Sequence, residues 1–285
     1  MTRRSAVACV LVSVTLLVVY VPVLSSLVRQ WASDENYSHG FVIVPLALFF
    51  AWERRRALAR TPAAPSTAGL VVVAGSLLVF LAGLFGAEIF LSRVSLIGVL
   101  AGAILFLFGW RHLRLLAFPV LFLLLMVPLP AILFNHLTLP LQSIASRAGE
   151  AAIAAAGIPV LREGNVLVLP TTTLEVAQAC SGIRSLISLL TIAIVLGYFR
   201  EPRRWARGLL AAATIPIAIV ANAARVAGTG LAADWIGPEA AEGFFHAFSG
   251  WLVFLAAFGL LLVVQQALAR RWRVPARRRA VVEAS

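Results

Sequence analysis

Long apolar runs alternate with short polar clusters rich in Arg, Pro and Gly along nearly the whole chain. A membrane-spanning helix needs roughly 20 apolar residues, and the runs predict about eight such helices. They cover Ala6 to Val28, His39 to Trp52, Gly69 to Ala87, Val94 to Trp110, Leu113 to Phe134, Ser185 to Phe199, Ala206 to Ala227 and Phe245 to Leu268. The second is short. The first follows Arg3 and Arg4 as a signal peptide would, but its run is too long and further spans follow, so it reads as a retained anchor. One stretch between spans, Asn135 to Ala179, is long enough for structure of its own. Within it, Leu141 to Ala156 is Ala-rich with apolar residues at helical spacing, which predicts a helix lying at the membrane interface. Val160 to Leu169 carries β-branched residues around Glu163, Gly164 and Asn165, a hairpin signal, and Thr171 to Val176 predicts another strand.

Composition supports this all-α polytopic membrane class and excludes an ordinary globular surface. Of 285 residues 61% are apolar and 13% charged, and the mean hydropathy is +0.95. A net charge of +12 would point to nucleic acid if it formed a patch, but the basic residues are all arginines, set between apolar runs. Cytoplasmic loops retain positive charge. With the N-terminus inside, Arg54, Arg55, Arg56, Arg60, Arg111, Arg114, Arg200, Arg203, Arg204, Arg207 and the tail arginines face the cytoplasm, whereas Asp34, Glu35, Glu88, Glu163 and Glu175 face outward. Both termini are therefore expected in the cytoplasm, and 135–179 forms an extracytoplasmic insertion. The basic tail, 269–285, reads as a topology signal and a binder of lipid headgroups, not of nucleic acid. No metal or other cofactor is expected, because the two cysteines and four histidines lack metal-site spacing.

Ionisable groups at membrane depth are costly and mark candidate functional positions. Four regions bring them to the predicted outer face. Ala179-Cys180-Ser181-Gly182-Ile183-Arg184-Ser185 opens the sixth span, and on a helix Cys180 and Arg184 would share a face. Asn222 and Arg225 close the seventh span, His246 opens the eighth, and His39 opens the second. A thiol of pKa near 8.5 gains thiolate character beside positive charge or at a helix N-terminus, and Cys180 has both available. His246 is placed to take the thiol proton and return it to a leaving amine. Arg225 or Arg184 could stabilise the charge that develops on an attacked carbonyl oxygen. This equipment suits acyl transfer through a thioester.

The chain resembles the exosortase/archaeosortase family of polytopic membrane cysteine transpeptidases. The resemblance rests on Tyr37-Ser38-His39-Gly40-Phe41 with Pro45 and Trp52, on Ala179 to Leu186, on Asn222-Ala223-Ala224-Arg225-Val226, and on His246 with Gly250. It implies one transmembrane domain over 1–268, in a bacterial inner membrane, with catalytic residues Cys180, Arg225 and His246 and supporting residues Arg184, Asn222, His39 and Ser181. It also implies partners: exported proteins that end in a Pro-Glu-Pro motif, a transmembrane helix and an Arg-rich tail, with a glycan or amine as acceptor.

Plainer roles compete at each position. A lone cysteine is usually a small apolar filler, and Cys9 reads as packing, since a bilayer of about 30 Å separates it from Cys180. Arg225 and Arg184 could be interfacial anchors, His246 a helix cap, and His39 a turn or positioning residue. His112 and His136 read as structural or interfacial. The rival class is a transporter or channel with charged residues around an outer vestibule, which predicts repeated halves. No repeat of fixed period occurs.

Overall fold

The computed structural model describes residues 3–176, 182–237 and 243–271, with side chains for 14–176, 182–237 and 248–271. The chain divides into two compact units, Met1–Leu133 and Phe134–Ser285.

The first unit is built from α1 (Arg3–Ser33), α2 (Gly40–Glu53), the short α3 (Arg55–Arg60), α4 (Ala68–Phe85), α5 (Ile89–Phe108) and α6 (Trp110–Phe122), followed by a 3₁₀ turn, Leu123–Met126. Helices α4 and α5 form a tight pair. An added Cβ at Gly69, Gly83 or Gly102 would collide with Phe106, Ser92 or Val73 respectively, so small residues set the close approach. Large apolar side chains on the outward faces stay uncovered, for example Val71 at 74% and Leu78 at 67% exposed. Such faces are untenable in water and expected against lipid.

The expected fifth span, Leu113 to Phe134, is not one helix. Pro128 and Pro130 have no amide hydrogen, and each pushes the residue before it toward an extended conformation. Val127 is accordingly extended (φ −87°, ψ 117°), and the chain resumes as α7 only at Ala131. Hydropathy misses this break because the residues on both sides of it are apolar.

The second unit holds most of α7 (Ala131–Ala155), the strands β1 (Leu161–Glu163), β2 (Val166–Val168) and β3 (Thr173–Glu175), and the helices α8 (Ile183–Arg200), α9 (Arg204–Trp235) and α10 (Gly243–Arg271). The expected hairpin and further strand both form, as an antiparallel β1-β2-β3 meander. Gly164 (φ 65°) takes the first position of the two-residue loop between β1 and β2, where a left-handed conformation suits a hairpin. The buried face of the meander, through Leu167 and Leu169, packs with Ala145 and Ile153 of α7 and Val226 of α9. Arg162 adds an ion pair to Glu150 at 2.9 Å. A second core, with Leu189, Ala193, Leu210, Ile217 and Leu261, binds α8, α9 and α10 together.

Among the described residues, six helices are long and apolar enough to cross a membrane: α1 from Val14, α4, α5, α8, α9 and α10. The broken α6–α7 pair makes seven if it counts as one span. Helix α2 has 14 residues, about 21 Å at 1.5 Å per residue, against a hydrocarbon core of about 30 Å. The polytopic helical class therefore holds, with six or seven spans by length and composition where eight were expected.

Candidate active site

In the second unit the chain reaches residues 177–181 from a fixed point and leaves them at another. Val176 is buried, its N–H donates to the Asn165 carbonyl at 2.8 Å, and its own carbonyl accepts from Asn165 Nδ2 at 3.2 Å. On the far side, Gly182 is the N-cap of α8 in the left-handed region, φ 77°. A Cβ there would be strained by the backbone and would lie 3.0 Å from Cβ and Cγ of Asn222. Only glycine lets the start of α8 meet α9 this closely.

Helix α9 carries Asn222, which is buried, and Arg225, which is half-buried three residues later on the same face. The Arg225 guanidinium lies along α10 at Gly250. A Cβ on Gly250 would sit 3.1 Å from Nη2 and 3.2 Å from Cζ of Arg225. Beyond this contact, a cleft of about 280 Å³ opens between α9 and α10, with Arg225, Gly228, Thr229, Phe248, Ser249 and Leu252 among its lining residues. Among the described residues, Arg225 is the charged member of that lining.

Gly182, Asn222, Arg225 and Gly250, each from a motif singled out in the sequence, are thus brought together. Arg184 is half-buried in the first turn of α8. The helix starts at Ile183, after a left-handed residue, and the face expected to join Cys180 to Arg184 has its Cys180 end outside the described residues. Cys180 and Ser181 lie outside the described residues, two and one positions before Gly182. His246 belongs to α10 one turn before Gly250, but its side chain is not among those described.

The motif around His39 belongs to the first unit, and its surroundings are backbone. The His39 ring Nε2–H donates to the Leu125 carbonyl at 3.1 Å. Trp31 Nε1–H donates to the Met126 carbonyl at 3.0 Å. Tyr37, also buried, is hydrogen-bonded to the Leu129 backbone. Burial outweighs that bond and raises the Tyr37 pKa, keeping the phenol neutral. Gly40 leaves space for the Trp31 indole, which a Cβ would strike, and Phe41 packs edge-on to the same indole at 5.4 Å. Together these residues satisfy backbone groups at the proline break, where helical partners are missing.

Trp31 and Arg93 were not singled out from sequence. Arg93 is 5% exposed, donating to Gln30 Oε1 at 2.6 Å and Ser26 Oγ at 3.1 Å, one turn apart on α1. Its Nε is buried without a hydrogen-bond partner among the described residues. The predicted span began at Val94 and left Arg93 in a loop, whereas α5 begins at Ile89 and carries it inside. An arginine within an apolar run was the available signal.

A family model described as transmembrane exosortase matches residues 31–263, most of the chain and all four motif regions. The chain belongs to the transmembrane exosortase family. This exosortase is therefore a multi-pass membrane protein of a family of membrane-embedded sorting enzymes, of the transpeptidase or protease kind. No curated protein and no solved structure matches it.

Proposed function

We propose that this exosortase cleaves C-terminal sorting signals of exported proteins on the outer face of the cytoplasmic membrane, through a thioester on Cys180. The Cys180 thiol loses its proton to His246 and attacks the scissile carbonyl. The guanidinium of Arg225 stabilises the tetrahedral oxyanion. As the C–N bond breaks, His246 returns the proton to the leaving amine, and the remaining acyl thioester passes to water or to an amine or glycan-linked acceptor. Arg184, Asn222 and Ser181 support this centre, and His39 has a positioning role. The substrates of this reading end in a Pro-Glu-Pro motif, an apolar helix and an arginine tail.

The observation that carries the reading is the junction of three helices: Gly182 against Asn222 and Arg225 against Gly250, two residues from Cys180 and one turn from His246. A vestibule of charged residues in a transporter does not require the cap of one helix to meet the polar face of a second, or an arginine of that second helix to lie along a glycine of a third.

The deciding experiment expresses the enzyme with a reporter bearing such a C-terminus and follows the new C-terminus by mass spectrometry. Cys180→Ala is expected to abolish processing while membrane insertion and abundance persist. Full processing by that variant removes the thioester mechanism. A membrane-impermeant thiol reagent tests the topology, and is expected to label Cys180 from outside but not Cys9; labelling of Cys180 only after lysis inverts the orientation.

A further inference from the structure

The cleft between α9 and α10 begins at the guanidinium that the proposed reaction uses, and its walls differ in kind from that guanidinium. Ala224, Gly228 and Ala232 form its side on α9 at intervals of four residues, facing Phe248, Leu252 and Val253 of α10. Among the described residues, its polar lining apart from Arg225 consists of the hydroxyl residues Thr229 and Ser249.

Gly228 carries the argument. A glycine inside a helix costs about 1 kcal/mol relative to alanine. At Gly230 the close approach of Ile153 accounts for it, and at Gly250 the guanidinium of Arg225 does. At Gly228, as at Gly208 of the same helix and Gly259 of α10, an added Cβ would meet nothing within 4 Å among the described residues, but of these three only Gly228 lines the cleft. The space over that backbone belongs to the cleft, and a side chain of any size would narrow it.

We infer that this cleft is the subsite for the substrate residue that contributes the scissile carbonyl, and that Gly228 sets its width for a small or branched uncharged side chain. The inference rests on the proposed thioester reaction, because Arg225 ties the carbonyl oxygen to the cleft. Three properties select this occupant. A volume of about 280 Å³ falls just below the usual range for ligand pockets, roughly 300–1,000 Å³, and a whole helix about 10–12 Å across does not fit. The described walls are mainly apolar, so they reward an apolar side chain by desolvation. A carboxylate in the cleft would compete with the oxyanion for Arg225, and a cationic side chain would be repelled by it.

The test varies that substrate residue through Gly, Ala, Val, Leu and Asp in a reporter ending in a Pro-Glu-Pro segment, an apolar helix and an arginine tail. The wild-type enzyme, Gly228→Ala and Gly228→Leu are compared in one membrane preparation, with rates normalised to folded enzyme. The expected result is a ratio of Val to Gly processing that falls stepwise, about tenfold or more for Gly228→Leu, with the Asp reporter poor throughout. Gly228→Ala, whose new methyl meets open space, keeps the series readable if the leucine variant does not accumulate. An equal loss on every reporter overturns the subsite, and so does no loss at all. A uniform change accompanied by altered phospholipid co-purification also overturns it, and makes the cleft a lipid site. Processing that survives Cys180→Ala is a separate failure, of the thioester reaction, and shows itself without any Gly228 variant.

Discussion

In the first unit, Trp31, Tyr37 and His39 direct their polar atoms to the backbone of residues 125–129, whereas in the second Arg225 lies along Gly250 of α10 and borders an open cleft. Both regions carry residues through which the chain resembles its family, yet the physical situations differ. A side chain bonded to its own unit's backbone holds a bend in place. A guanidinium at the mouth of a cleft has a surface on which something else can sit. Resemblance at a motif therefore does not assign a common role, and substitutions separate the two cases.

The largest contrast is expected at Arg225. Lysine keeps the charge but loses the planar fork of the guanidinium. If Arg225 binds the oxyanion, Arg225→Lys lowers turnover by roughly 10²- to 10³-fold while crosslinking still captures intact substrate. Arg114→Lys, at an exposed position of α6, serves as the control and leaves turnover as it was. Near-normal turnover in Arg225→Lys returns that residue to anchoring and makes Arg184 the candidate.

The first unit is expected to answer in stability instead. In Gly40→Val, the new side chain strikes the Trp31 indole, which is 6% exposed and tied to Met126. Overpacking of this kind costs about 1–3 kcal/mol, visible as a lower Tm in detergent and lower abundance. Turnover per folded molecule is expected to change little. A large loss of turnover at unchanged Tm would place the corner around Gly40 in the chemistry and erase the contrast.

Much of this architecture was legible in the sequence, for reasons that also explain what was not. Helices α4, α5, α8 and α10 follow from apolar runs of bilayer length, and the meander follows from β-branched residues around Gly164 and Asn165. The break at Pro128 and Pro130 is invisible to hydropathy, and α2 passed as a span because its composition, not its 14-residue length, was apolar. Helix α9 runs past the expected end at Ala227 to Trp235, where Gly230 packs on Ile153 and Leu174; tertiary packing there overrides a local sequence rich in Gly and Thr. At the candidate site, the residue types were legible and their glycine partners were not. Nothing local in the sequence tells that Gly182 admits Asn222 or that Gly250 admits Arg225, since each glycine answers to a side chain tens of residues away.

The smallest effect expected is a pH dependence at His39. It caps α2 and is partly buried, and burial lowers its pKa below the ordinary 6.5, against the opposing pull of the Leu125 and Asn36 backbone. A histidine whose folded pKa is depressed binds fewer protons folded than unfolded over the interval between the two values. Stability then increases with pH across that interval. The contribution is complete above about pH 6.5 and declines as acid protonates the unfolded chain first and the folded ring later. Tm in detergent is therefore expected to fall between neutral pH and about pH 5, and His39→Gln, whose side-chain amide can still donate to the Leu125 carbonyl, is expected to flatten that slope. If the slope is the same in His39→Gln while turnover loses its dependence on pH, the imidazole is exchanging protons with substrate, and His39 moves from the bend in the first unit to the reaction.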